Sequence, residues 1–231
     1  MKLFKKTSIE YHLLNFSRNI DFLYQCRKKF IAIRKNNYRE EICLSRQCEF
    51  LAGRICACQS LIKLDKQINM KQSWKQFFNY GELPLWPPGV VGSISHSEHY
   101  AIAICTRSDD RCVGVDIESI IKLKKAQLIS TYVISKKDFQ YAELFDEFNI
   151  FVTIVFSSKE SIYKALPLHI QKLVNFHSTH IYSIDIKHSF IIFYLNINKL
   201  DLTKKIKVFF EWYNSNIITY CNFSIDGVFS S

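Results

Sequence analysis

Glycine and proline are scarce in this chain of 231 residues, numbering six and four, and no Gly/Ser-rich linker occurs. A string of domains on flexible tethers is therefore excluded. There is no low-complexity tract and no repeat at short period, which removes fibrous and solenoid architectures. No uninterrupted apolar run approaches the roughly 18 residues that a membrane helix needs. The amino terminus "MKLFKKTSIEYHLLNF" starts basic but has neither an apolar stretch nor a small-residue cleavage site. No signal peptide and no transmembrane segment is expected, so the expected address is the cytoplasm. The zinc-finger spacing, the Gly-rich phosphate loop, the RNP-like aromatic signature and the G-x-S-x-G elbow are missing too.

What is present suits a folded globular protein, one large domain or two small ones. The chain is 48% hydrophobic and 15% aromatic, enough to bury a sizeable core. Lys and Arg number 31 against 21 Asp and Glu, a formal charge of +10 that favours an acidic partner without choosing among nucleic acid, phosphate-bearing ligands and acidic proteins. The eight cysteines (Cys26, Cys43, Cys48, Cys56, Cys58, Cys105, Cys112, Cys221) are expected to be reduced and mostly small core residues. "CAC" at Cys56 to Cys58 lacks a second pair or a nearby His, so core packing is preferred to metal binding there.

Apolar residues at Leu44, Cys48, Leu51, Ile55, Cys58 and Ile62 alternate steps of four and three, the pattern of an amphipathic helix whose other side carries Arg46, Glu49 and Arg54. "PLWPPG" breaks regular structure. "VVGSIS", "YAIAICT" and "CVGVDIE" then read as strands, the last two joined by the polar turn "RSDDR". "FSSKESIYKAL" reads as a helix stopped before Pro167. "HIYSIDI", "SFIIFYLNI" and "IKVFFEWY" read as a β meander with "KLDLTKK" as one of its turns. Helix plus strands thus occurs twice, which predicts an α+β protein of two similar-sized halves, 1–118 and 119–231.

Three segments carry candidate chemistry. In "GVDIE", strand alternation puts Gly114, Asp116 and Glu118 on one side and Val113, Val115 and Ile117 on the other. Two neighbouring carboxylates repel unless a cation or solvent separates them, and hard oxygen ligands suit Mg²⁺. A solvated hairpin face explains the same spacing. On the repulsion argument, removing Asp116 is expected to leave the melting temperature unchanged or higher. In "SSKESIYKAL", Ser157 and Glu160 form a capping box and Glu160 pairs with Lys164 one turn on. The same helix offers one acid and two lysines, Lys159 and Lys164, the components that phosphoryl transfer uses. In "GSISHSEHY", Ser95 and His96 follow a strand and are able to hold a phosphate, while a structural turn histidine is the plainer reading.

In this order, "RQCEFLAGR", "PLWPPGVVGSISHS", "GVDIE" and "FSSKESIYKA" resemble the motifs of the Sfp-type 4′-phosphopantetheinyl transferases, in the branch of enterobactin synthase component D. The resemblance spans Arg46 to Ala165. It implies a 4′-phosphopantetheinyl transferase fold, a pseudo-twofold pair of α/β halves. It also implies transfer of the phosphopantetheine arm of coenzyme A to a serine of an apo carrier protein, with release of adenosine 3′,5′-bisphosphate. By position, Asp116, Glu118 and Glu160 match Mg²⁺ ligands, and Glu160 matches the base toward the carrier serine, directly or through water. Lys164 matches the lysine at the coenzyme A phosphates. Arg46, Arg54, Ser95 and His96 match positions that grip the nucleotide, and Asp116 also counts among the coenzyme A-site residues. Relatives often have a Lys or Arg shortly before "WP", where this chain has Gly81, Glu82 and Leu83 and its nearest base is Lys75. Phe156 stands where some relatives have Trp and should simply pack. The implied partner is an acidic carrier domain of nonribosomal peptide, polyketide or siderophore synthesis, served by a monomer. The alternatives are a basic nucleic-acid-binding protein and a Mg²⁺-dependent nuclease.

Overall fold

The computed structural model describes residues 8–29, 43–65, 84–108, 110–197 and 202–224. Contacts divide the chain into two units between Asp109 and Asp110.

The first unit is built on a three-stranded antiparallel sheet in the order β1-β3-β2, with β1 at Glu10–Asn15, β2 at Val90–His96 and β3 at Tyr100–Arg107. Two helices, α1 (Ile20–Lys29) and α2 (Leu44–Leu64), accompany it. The predicted helix over Leu44–Ile62 is therefore found, extended by one half-turn. Its packing face is made of small side chains: Cys48, Ala52, Cys56 and Ala57 are fully buried beside Leu51 and Leu61. Small residues let the helix lie close on the strands, and the Cys56 thiol donates to the Ala101 carbonyl of β3 at 3.2 Å. The cysteines there serve as apolar filler, as expected. Burial pushes the Cys58 thiol up to about 12, so at neutral pH it stays protonated and is a poor metal ligand.

The second unit has a five-stranded antiparallel sheet in the order β4-β8-β7-β6-β5. Its strands are β4 (Arg111–Ser119), β5 (Thr179–Asp185), β6 (Phe190–Ile197), β7 (Leu202–Tyr213) and β8 (Asn216–Ser224). Helix α3 (Leu123–Val133) and the long α4 (Phe148–Ala165) belong to the same unit. The core lies between α4 and the sheet, where Phe151, Val152, Ile154, Val155 and Ile162 meet Phe193, Leu195, Ile206, Val208 and Ile217. Phe156 stacks on Phe176 with ring centroids 5.7 Å apart, the packing role expected of it.

Mixed helix and sheet in two sheets is the α+β class predicted. Four readings are corrected. "RSDDR" does not close a hairpin: β3 is paired on both edges, by β1 and β2, and β4 instead pairs with β8 over all nine of its residues. For the same reason the division falls at 109/110 and not at residue 118, since β4 belongs to the sheet that follows it. "KLDLTKK" is not all turn, because β7 begins at Leu202, and the rest of that segment lies outside the described residues. The helix of "SSKES" starts at Phe148 with Glu147 at its cap position, nine residues before Ser157.

Candidate functional site

Strand β4 and helix α4 face each other across the second unit. Their approach is set by Gly114: a Cβ there would lie 1.9 Å from the Ser161 carbonyl oxygen and 2.9 Å from Ala165 Cβ. Only a glycine lets the helix backbone come so near the strand. The face of β4 that carries Gly114, Asp116 and Glu118 is thus the face toward α4, and the solvated hairpin side is excluded. Asp116 is 4% exposed.

Buried charge demands partners, and Asp116 has them on α4. Lys164 Nζ donates to its Oδ1 at 2.5 Å and Ser157 Oγ to its Oδ2 at 2.7 Å. Ser157 sits in mid-helix, so its hydroxyl serves Asp116 and not a helix cap. Glu160, one turn before Lys164, is likewise no capping-box residue. Burial raises the Glu160 carboxyl above its ordinary value, with the Asp116 charge adding to the rise and Lys164 opposing it. Glu118 is pushed up to about 7, by burial first and then by Asp116 and, more weakly, Glu160, against Lys125 and Lys164. Asp116, Glu118 and Glu160 therefore act on one another electrostatically.

Their chemistry fits a hard divalent cation: three carboxylates, all hard oxygen donors, close enough to act on one another. Among the described residues no group of three acidic, His or Cys side chains is drawn together tightly enough to close around an ion. Asp116 is turned to Lys164 and Ser157 instead. Beside Glu160 opens a largely apolar cavity of about 280 Å³, lined by Lys159, Glu160, Tyr163, Phe176, Thr179 and Leu195 among others. Lys159 is committed to the frame of the fold, donating at 2.8 Å to the carbonyls of Phe176 and Thr179.

In the first unit, Arg46 and His96 are brought together: Arg46 Nη1 lies 3.1 Å from His96 Nε2. The carboxylate of Glu49 stands under both, 3.3 Å from Arg46 and 3.8 Å from His96 Nδ1, and pairs with Arg18 at 2.7 Å. Arg46 remains largely exposed, so this cluster presents positive charge at the surface. Arg54 and Ser95 do not join it. Arg54 is two turns further along α2, about 12 Å along the axis. It is buried, with its guanidinium 4.8 Å from the Phe50 ring centroid and its pKa lowered to about 10 by desolvation. Ser95 neighbours His96 on β2, so strand alternation sends the two side chains to opposite faces, and Ser95 is buried. Lys75, Gly81, Glu82 and Leu83 lie outside the described residues.

Residue types and spacing on single segments did not disclose Arg18, Ser157 as a partner of Asp116, or the role of Glu49 as a common anchor. The one available signal was the i, i+3 spacing of Arg46 and Glu49 on a predicted helix.

Comparison with known families matches residues 37–106 to the 4′-phosphopantetheinyl transferase N-terminal domain and residues 112–221 to the 4′-phosphopantetheinyl transferase superfamily. The two matches meet where the contacts divide the chain. Among curated proteins, enterobactin synthase component D of Salmonella typhi is 34% identical over 148 residues, 62% of this chain and 57% of that protein. The same component of Escherichia coli strain K12 is 34% identical over 123 residues, 52% of this chain and 54% of that one. The 4′-phosphopantetheinyl transferase Npt of Nocardia iowensis is 28% identical over 123 residues, 52% and 51% of the two chains. The chain thus spans about half the length of the curated relatives it matches. Neither the family matches nor the relatives support the nucleic-acid readings.

Proposed function

Because this chain belongs to the 4′-phosphopantetheinyl transferase superfamily, we propose that it transfers the 4′-phosphopantetheine arm of coenzyme A to a serine of an apo carrier protein and releases adenosine 3′,5′-bisphosphate. The observation that carries this reading is the buried Asp116 bonded to Lys164 within reach of the charges of Glu118 and Glu160. Three neighbouring carboxylates beside a lysine suit a substrate that arrives as a diphosphate with its metal.

Mg²⁺ held by Asp116, Glu118 and Glu160 would supply charge neutralisation at that diphosphate. Lys164 places an ammonium at the leaving phosphate, where negative charge develops as the P–O bond breaks. Glu160 takes the proton of the carrier serine, directly or through water. Arg46 and His96 hold nucleotide phosphates, and Glu49 keeps both side chains in place for that task. Arg54 and Ser95, both buried and apart from that pair, are proposed for the same nucleotide portion on the family resemblance alone.

The carrier is proposed to be an acidic domain of nonribosomal peptide, polyketide or siderophore synthesis, drawn to a chain of charge +10 by long-range attraction that salt weakens. A cytoplasmic monomer is proposed with it; among the described residues no helix is long and apolar enough to cross a membrane. The deciding experiment is the intact mass of purified apo carrier domains after incubation with the protein, coenzyme A and Mg²⁺. A phosphopantetheine mass gain that EDTA abolishes is the expected result. No gain on any peptidyl, aryl or acyl carrier would sink the proposal.

A further inference from the structure

Behind Asp116 stand three hydroxyls that the transfer chemistry does not use. Ser157 and Ser161 of α4 and Thr219 of β8 are all fully buried, at 0% exposure. Ser161 Oγ lies 2.6 Å from Thr219 Oγ1, which lies 2.9 Å from Ser157 Oγ. Ser157 Oγ in turn donates to Asp116 Oδ2 at 2.7 Å.

A carboxylate can only accept, and each hydroxyl has one proton to give. The proton of Ser157 is thus committed to Asp116, so between Ser157 and Thr219 the hydroxyl of Thr219 must be the donor. Its proton is shared between Ser157 Oγ and the Ser157 carbonyl, 2.8 Å away. Ser161 is left to donate to Thr219, at the hydroxyl or at the carbonyl 3.1 Å away. Where the hydroxyls bond to one another the order can run only one way, Ser161 to Thr219 to Ser157 to Asp116, and each such link polarises the next.

We propose that Thr219 and Ser157 are positioning residues of the transfer site. Through Oδ2 they fix the plane of the Asp116 carboxylate, so that Oδ1 is presented to Lys164 and to a divalent cation. The inference rests on the proposed function for the identity of that cation. A purely adhesive role, tying α4 to β8, would use the same contacts but would change stability alone. A positioning role changes cation affinity in a protein that stays folded, because partners behind a ligating carboxylate set its orientation and basicity.

The test is calorimetric titration of Mg²⁺ into the purified full chain, without coenzyme A or carrier, with the melting temperature followed alongside. Thr219→Val keeps the shape and breaks the relay; Thr219→Ser keeps the hydroxyl. The Val variant should bind Mg²⁺ about tenfold more weakly and the Ser variant within about twofold of the unchanged protein, as for other second-layer partners of metal ligands. In transfer assays the Val variant should show a raised KM for Mg²⁺, with kcat recovered at saturating Mg²⁺. A folded Val variant that binds Mg²⁺ like the unchanged protein overturns the proposal. Should that variant not fold, Ser157→Ala removes the last donor alone and the same titration decides; failure of both to fold assigns the hydroxyls to structure and overturns the proposal. Mg²⁺ binding by the unchanged protein without transfer to any carrier would end the functional reading and leave the relay standing. Absence of any Mg²⁺ binding would end the relay.

Discussion

Lys164 reaches back from the last turn of α4 to Asp116 in β4, closing 2.5 Å between ammonium and carboxylate oxygen inside the second unit. A lysine so placed neutralises Asp116 while no cation is there, and it competes with a cation for the same oxygen. Lys164→Met should therefore bind Mg²⁺ more tightly than the unchanged protein when coenzyme A is absent. Its transfer rate should still fall roughly 10²-fold, the usual loss for one charge-stabilising donor. Titration calorimetry and steady-state transfer read the two effects, and equal Mg²⁺ affinity in both proteins would refute the competition. The pairing also reverses the stability expectation for Asp116. Asp116→Ala strands a buried hydroxyl and an ammonium, so it should lower stability by about 1–3 kcal/mol in urea unfolding.

Glu160 has no cap to serve, since its helix begins at Phe148. Glu160→Gln should leave the melting temperature level or raise it, because burial already disfavours the carboxylate. Transfer should collapse by roughly 10² to 10⁴-fold, the typical loss on removing a general base. Near-full activity at saturating Mg²⁺ and coenzyme A would show that another group accepts the serine proton.

Gly114→Ala sets a methyl against the Ser161 carbonyl at 1.9 Å, and a helix backbone cannot step aside as a flexible side chain does. Overpacking of this kind costs about 1–3 kcal/mol or more. As α4 is displaced, Glu160 and Lys164 move with it, so transfer should fall further than stability alone accounts for. Denaturation midpoints and rates at a temperature where the variant is fully folded separate the two losses.

His12 on β1 gives a pH dependence of known sign. Burial, aided by Lys63, lowers its pKa below 6.5. As pH falls through 6.5 the unfolded chain takes up a proton that the folded chain still refuses, so stability is lost on the acid side of that value. Unfolding followed from pH 7.5 downward should show a shallower acid decline in His12→Gln. Identical slopes in the two proteins would mean that His12 is free to protonate in the fold.

Much of this was legible in the chain because its signals are local. The helix over Leu44–Leu64 announces itself by apolar spacing, and "GVDIE" by two acids in an apolar run. The missed features depend on partners far along the chain. "RSDDR" has the composition of a turn, but composition does not say that β4 will find β8 a hundred residues later. Strand β8 itself went unread, and with it Thr219. The start of α4 was hidden because "FNIFVTIV" is apolar on every side: Phe151, Val152, Ile154 and Val155 are all buried, so no amphipathic period marks the helix. With the start misplaced, Ser157 passed for a cap. Arg46 and Glu49 were placed correctly on one helix, but the arrival of Arg18 and His96 at Glu49 is a tertiary event.

Seven of the eight cysteines are buried, and Cys43 alone is exposed. Oxidants and thiol-directed reagents attack the thiolate at an accessible sulfur, and the interior sulfurs meet neither condition. A chain that looks from its cysteine content to be vulnerable to peroxide thus offers it a single point of attack, at the cap position just before α2, three residues from Arg46. Sulfenic acid formed there would add a bulky polar group beside the surface cluster of Arg46 and His96 while leaving the acids of the second unit untouched.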